Sequence, residues 1–165
     1  MKRLLPHAVV LTAIAMLVAV AFAVPALGGG AQVTSGDLTE FALGPSLGYT
    51  DVTGRVQMVR TGDGKTIVSV QVAGLRPGLT YGSHVHLQSC AAGDAGVHYS
   101  FGYPVVGGAG PGPNSEIWPG PFTANAAGHA NGKAMVGEHA GNTAVSVVIH
   151  APAPGGQKIA CADLS

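Results

Sequence analysis

The sequence predicts an all-β domain, a sandwich or closed barrel of short strands, preceded by an N-terminal export segment. Three observations lead there. After residue 37 the chain runs in short stretches of β-prone, partly alternating residues, separated by turns rich in glycine and proline. No long stretch beyond the apolar N-terminus repeats its apolar residues every 3.6 positions, as an amphipathic helix would. The 165 residues, less a leading segment, leave room for one compact domain and no more.

The leading segment starts with Met1-Lys2-Arg3, and from Ala8 to Ala23 every residue is apolar except Thr12. A basic start, an apolar middle and small residues at the exit are the parts of a secretory signal peptide, assigned to residues 1–26. Ala21-Phe22-Ala23 and Val24-Pro25-Ala26 both offer a cleavage point. The run is short for a bilayer span of about 20 residues. Retained, it would anchor the domain to the membrane; no cysteine follows it to carry a lipid. Residues 27–37, small and polar, read as a flexible lead-in, and residues 38–165 as the domain.

Within the domain, Gly54 to Val59 partly alternates, and Thr61-Gly62-Asp63-Gly64 suits a hairpin turn. Lys65 to Val72 alternates cleanly. Leu75-Arg76-Pro77-Gly78 turns the chain, and Tyr81 to Leu87 is the next strand. Residues 91–121 have no sustained period and form a long loop, a length that usually carries function or disorder. Strands return at Phe122-Thr123-Ala124, from Ala130 to Val136, from Thr143 to His150, and from Lys158 to Leu164.

Eight basic and eight acidic residues cancel, so no basic face points to nucleic acid or anionic lipid. Cys90 and Cys161 are the only cysteines, an even pair in a chain bound for an oxidising compartment. A disulfide between them closes a loop of roughly 70 residues, worth about 4 kcal/mol in the chain-entropy account.

The chemistry rests on histidine. His84 and His86 flank Val85, and side chains two apart on a strand share a face, so both imidazoles are placed to hold one ion. His150 ends a strand and His98 lies in the long loop. Three or four neutral imidazoles suit copper, zinc or iron, and a flattened all-nitrogen set favours Cu(II).

Gly82-Ser83-His84-Val85-His86 resembles the Gly-x-His-Val-His strand of the copper/zinc superoxide dismutases. Cys90 follows as that family's first disulfide cysteine does. Gly96-Val97-His98-Tyr99 is similar to the segment bearing the histidine that bridges copper and zinc. Phe122-Thr123-Ala124-Asn125 with Gly128 looks like the next strand and turn. Val147-Val148-Ile149-His150 matches the strand ending in the last copper ligand, and Lys158-Ile159-Ala160-Cys161 the closing segment with the second cysteine. The likeness runs in order from about Gly54 to Leu164. It implies a Greek-key sandwich or flattened barrel of about eight strands, with His84, His86, His98 and His150 as copper ligands. The implied reaction turns superoxide into dioxygen and hydrogen peroxide, with His98 carrying a proton, a task suited to imidazole. The resemblance also allows a homodimer, since family members pair through varied surfaces.

Three departures narrow the reading. The family's zinc site needs two more histidines and an aspartate, and none lies between His98 and Phe122. Only ten residues separate His150 from Cys161, where the family carries a long charged guiding loop. Lys158 stands where the family places an arginine at the mouth of the site, keeping the charge without the fork. These losses resemble the copper-only branch, in which a carboxylate takes over the orienting role of zinc. Glu116, just upstream of Phe122, is the candidate.

The expectation is therefore a secreted or cell-surface, copper-dependent superoxide dismutase without zinc. The alternatives are a copper-binding module of the same fold and a metal-free structural domain. His129 and His139, in glycine-bounded turns, read as solvated; an improvised zinc site would draw on one of them with Asp94 or Glu138. Trp118 and Tyr103 read as packing the long loop down. Asp51, Arg55 and Arg60 read as solvated strand-edge charges.

Overall fold

The computed structural model describes residues 30–102, 115–153 and 156–165. The export segment 1–26 and Tyr103 lie outside the described residues. Eight strands follow in chain order: β1 Gln32–Glu40, β2 Thr53–Arg60, β3 Thr66–Ala73, β4 Thr80–His86, β5 Phe122–Thr123, β6 Ala130–Val136, β7 Ser146–His150 and β8 Lys158–Asp163. They form one antiparallel sheet in the order β5-β4-β7-β8-β1-β2-β3-β6, curled into a nearly closed barrel with Greek-key crossovers. Among the described residues no helix is long and apolar enough to cross a membrane.

Strand parity explains the core. On β2 and β3, Val56, Met58, Val68, Val70 and Val72 point inward, while Gln57, Ser69 and Gln71 point out. Tyr81 and Val85 from β4, Val147 and Ile149 from β7, and Ile159 from β8 meet them. β7 is buried along its whole length because its outer face is also covered. There Val148 packs with Phe41, Ala95 and Cys161, beneath the loop that the Cys90–Cys161 disulfide ties to β8.

Two expectations need correction. β1 begins at Gln32, inside the stretch 27–37 read as a lead-in. Apart from Val33 and the buried Leu38 its residues are polar or glycine, yet it lies between two partners, pairing with β2 from Gln32 opposite Arg60 to Leu38 opposite Gly54, and with β8 at Thr39 and Glu40. Backbone pairing, not an apolar pattern, makes it a strand. Gly36 permits the close approach, since a Cβ there would lie 1.9 Å from the Asp163 carbonyl oxygen.

Arg60 is the second correction. It is buried, on the inward face it shares with Val56 and Met58. Its Nε donates to the Ala140 carbonyl at 2.8 Å, and Nη2 donates to the Gly141 and Ala144 carbonyls at 3.3 and 3.1 Å. The guanidinium thus anchors the segment that leads into β7. Asp51 and Arg55 are exposed as expected, with Arg55 paired to Asp37 at 2.9 Å.

Removing a buried charged donor leaves its acceptors unpaired, at roughly 1–3 kcal/mol for each unsatisfied group. Arg60→Met is expected to lower stability by about 3 kcal/mol, read as a lower urea midpoint at unchanged slope. A loss below about 0.5 kcal/mol would be the ordinary effect of a surface substitution and would contradict this role.

Candidate metal centre

The outward face of β4 begins the site. Tyr81, Ser83 and Val85 enter the core, so His84 and His86 project from the outer wall of the barrel. β7 runs antiparallel beside it, with Gly82 opposite His150 and His84 opposite Val148. Hence His150 emerges on the same outer face. His98 arrives from the long loop, which pairs with β4 through a bridge between His86 and His98. The Leu87 amide donates to the Val97 carbonyl at 3.1 Å, and the Tyr99 amide to the Val85 carbonyl at 2.8 Å.

The four imidazoles gather closely. His84 and His98 have ring centroids 4.1 Å apart, His84 and His150 4.8 Å, and His86 and His98 4.9 Å. One nitrogen of each ring lies within 4.8 Å of one nitrogen of every other, a spacing that lets a single ion touch all four.

Hydrogen bonds decide which nitrogens are free. His86 Nδ1 donates to the Gly96 carbonyl at 3.2 Å, and His150 Nδ1 to the Gly156 carbonyl at 2.7 Å. A carbonyl only accepts, so the lone pair in each ring sits on Nε2. His98 Nδ1 meets Glu116 Oε2 at 3.0 Å, leaving its Nε2 for the cluster. His86 Nε2, His150 Nε2 and His84 Nδ1 are buried without any hydrogen-bond partner. Buried polar atoms rarely stay unpaired, and three at one place fit ligands that await an ion. The donor set passes the test for a metal.

Protonation agrees. Burial, joined by the neighbouring His98 and His150, lowers the His84 pKa to about 3 and, with Lys158 as well, that of His86 to about 2. Burial lowers His150 to about 4, against the opposing Gly156 bond. The three rings are therefore neutral near pH 7, as metal ligands must be.

Two further residues reach the site where expected. Glu116 is 2% exposed and is held beside the loop by a bridge between Ser100 and Glu116. Lys158 Nζ donates to the carbonyls of Asp94 and Gly96, at 2.6 and 2.5 Å. The Gly96 carbonyl thus serves both Lys158 and His86. Gly96 has φ +66°, where a side chain is strained, and a Cβ there would lie 2.8 Å from Gln88.

His129 and His139 are exposed and stand apart from the cluster. The only other grouping of His, Cys, Asp or Glu among the described residues is Cys90, Cys161 and Asp163, whose sulfurs form the disulfide. Trp118, read from the sequence as packing, also carries a hydrogen bond at the site. Its indole Nε1 donates to Glu116 Oε2 at 2.5 Å, and its ring lies against His84, with centroids 4.5 Å apart. The signal was the spacing of Glu116 and Trp118, two apart around the buried Ile117. The chain matches no family model and no curated protein.

The pKa shifts make metal-free stability depend on pH. In the unfolded chain these histidines take up protons near pH 6.5; in the fold they do so only at about pH 4 and below. Between those limits the unfolded state binds more protons, so stability rises with pH and falls on acidification. The urea midpoint of metal-free protein is expected to drop steadily from pH 7 to pH 5. A flat profile would mean that the imidazoles are solvated.

Proposed function

We propose that this chain is an exported, copper-dependent superoxide dismutase that works without zinc. The observation that carries the reading is the set of three buried, unpartnered imidazole nitrogens beside a fourth imidazole held by a carboxylate. An all-imidazole set suits Cu(II) by ligand type. Glu116 takes the His98 Nδ1 position that a second metal would need, which supports copper alone. The disulfide suits an oxidising, extracytoplasmic setting.

Bound copper would supply a one-electron couple, oxidising one superoxide to dioxygen and reducing the next to hydrogen peroxide. The protein's own groups divide the remaining work. His84, His86, His98 and His150 would hold the ion, the His86 and His150 rings oriented by the Gly96 and Gly156 carbonyls. When its Nε2 is not on the ion, His98 can hold a proton there and hand it to the reduced product, the second proton coming from solvent, because Glu116 keeps Nδ1–H in place and the ring aimed. Lys158 places positive charge near His86 and His150, favouring an anion. Superoxide is then the small partner, and the balanced charge of the chain offers nothing to nucleic acid.

One observation favours a second reading, a copper-binding module with little turnover. The Lys158 ammonium is spent on two backbone carbonyls, so it is less free to meet an incoming anion. Metal content and superoxide turnover, measured after reconstitution with copper, zinc or both, separate the readings. The dismutase reading expects one copper, no stoichiometric zinc, and fast turnover that His84→Ala abolishes. Copper without turnover supports the module, and stoichiometric zinc contradicts the copper-only reading.

A further inference from the structure

We propose that Trp118 is a positioning residue of the metal centre, linking His84 and His98 through one indole. The inference rests on the copper reading above and adds to it. Residues 116–118 lie along β4, where the Val85 amide donates to the Ile117 carbonyl at 3.1 Å. In such an extended segment alternate side chains share a side. Ile117 is fully buried in the core, so Glu116 and Trp118 both face the imidazoles.

The indole makes two contacts there. Its only polar group, the Nε1–H, donates to Glu116 Oε2, the same oxygen that accepts His98 Nδ1–H. The indole bond therefore holds Glu116 Oε2 in the place where it also accepts from His98. The ring lies at 4.5 Å and 56° to His84. His84 Nδ1 has no hydrogen-bond partner, and among the described residues the His84 ring is flanked by the rings of Trp118, His98 and His150. Trp118 therefore packs on a ring whose Nδ1 has no hydrogen-bond partner, and fixes the carboxylate that orients His98.

Groups that orient ligands typically change metal affinity by about 10–100-fold when altered. Trp118→Phe keeps a ring against His84 but removes the donor to Glu116. It is expected to bind Cu(II) about tenfold more weakly, with a changed Cu(II) electron paramagnetic resonance spectrum. Glu116→Gln combined with Trp118→Phe should fall little below the weaker single variant, since both break one network. A folded Trp118→Phe with wild-type affinity and spectrum overturns the proposal.

Trp118 is the only tryptophan, which allows a test that changes no residue of the site. Its indole N–H resonance is expected to shift when wild-type protein is loaded with diamagnetic Cu(I), and an unmoved resonance contradicts the linkage. If the wild type binds no copper, the copper reading fails and this proposal with it. Copper binding with an indifferent indole overturns this proposal alone.

Discussion

The pairing of β4 with β7 is the constraint on which the site depends. Ser83 lies opposite Ile149 and Val85 opposite Val147, and these four side chains enter the core. His84, His86 and His150 are thereby turned to the outer wall. A slip of one residue would send the imidazoles of one strand into the barrel and its core residues out. The apolar residues between the histidines are thus what hold the register. The imidazole cluster is a by-product of good core packing on the other face of the same strands.

An outer wall is normally wet, and three bare imidazole nitrogens there would bond to water. Here the loop after Cys90 lies against that wall, its Gly96 carbonyl bonded to His86 and its His98 ring set against the other three imidazoles. The disulfide fastens that loop to β8, the Cys90 amide donates to Asp163 at 2.8 Å, and Lys158 grips the Asp94 and Gly96 carbonyls. Burial without partners costs free energy in the metal-free protein, roughly 1–3 kcal/mol for each unsatisfied group. A bound ion removes that cost and adds its own binding free energy, so metal and fold should stabilise each other. On this account Lys158 acts chiefly as a clamp, which is why it weighs toward binding as much as toward turnover.

Much of this was legible in the sequence, for reasons that can be named. β3, β4, β6 and β7 carry β-prone runs bounded by turn residues, and their limits were read to within a few positions. The i, i+2 pair His84 and His86 needed only strand geometry. His98, His150 and Glu116 came from the resemblance, because no local rule joins residues so far apart in the chain. β1 carries no apolar pattern in its mostly polar residues, and only neighbours on both sides make it a strand. At Arg60 charge argues for solvent, whereas its shared face with positions 56 and 58 places it inside. For Trp118 the sequence suggests packing, and its indole donor finds Glu116 only once the loop lies along β4.

The central claim is that these four histidines form one metal site. Pulsed electron paramagnetic resonance on the Cu(II)-loaded protein tests it most directly, by counting the imidazole rings coupled to the metal. The account predicts one copper coupled to four imidazoles, with the count falling by one in His150→Ala. Copper coupled to two imidazoles or fewer, or a count that ignores His150→Ala, would contradict it.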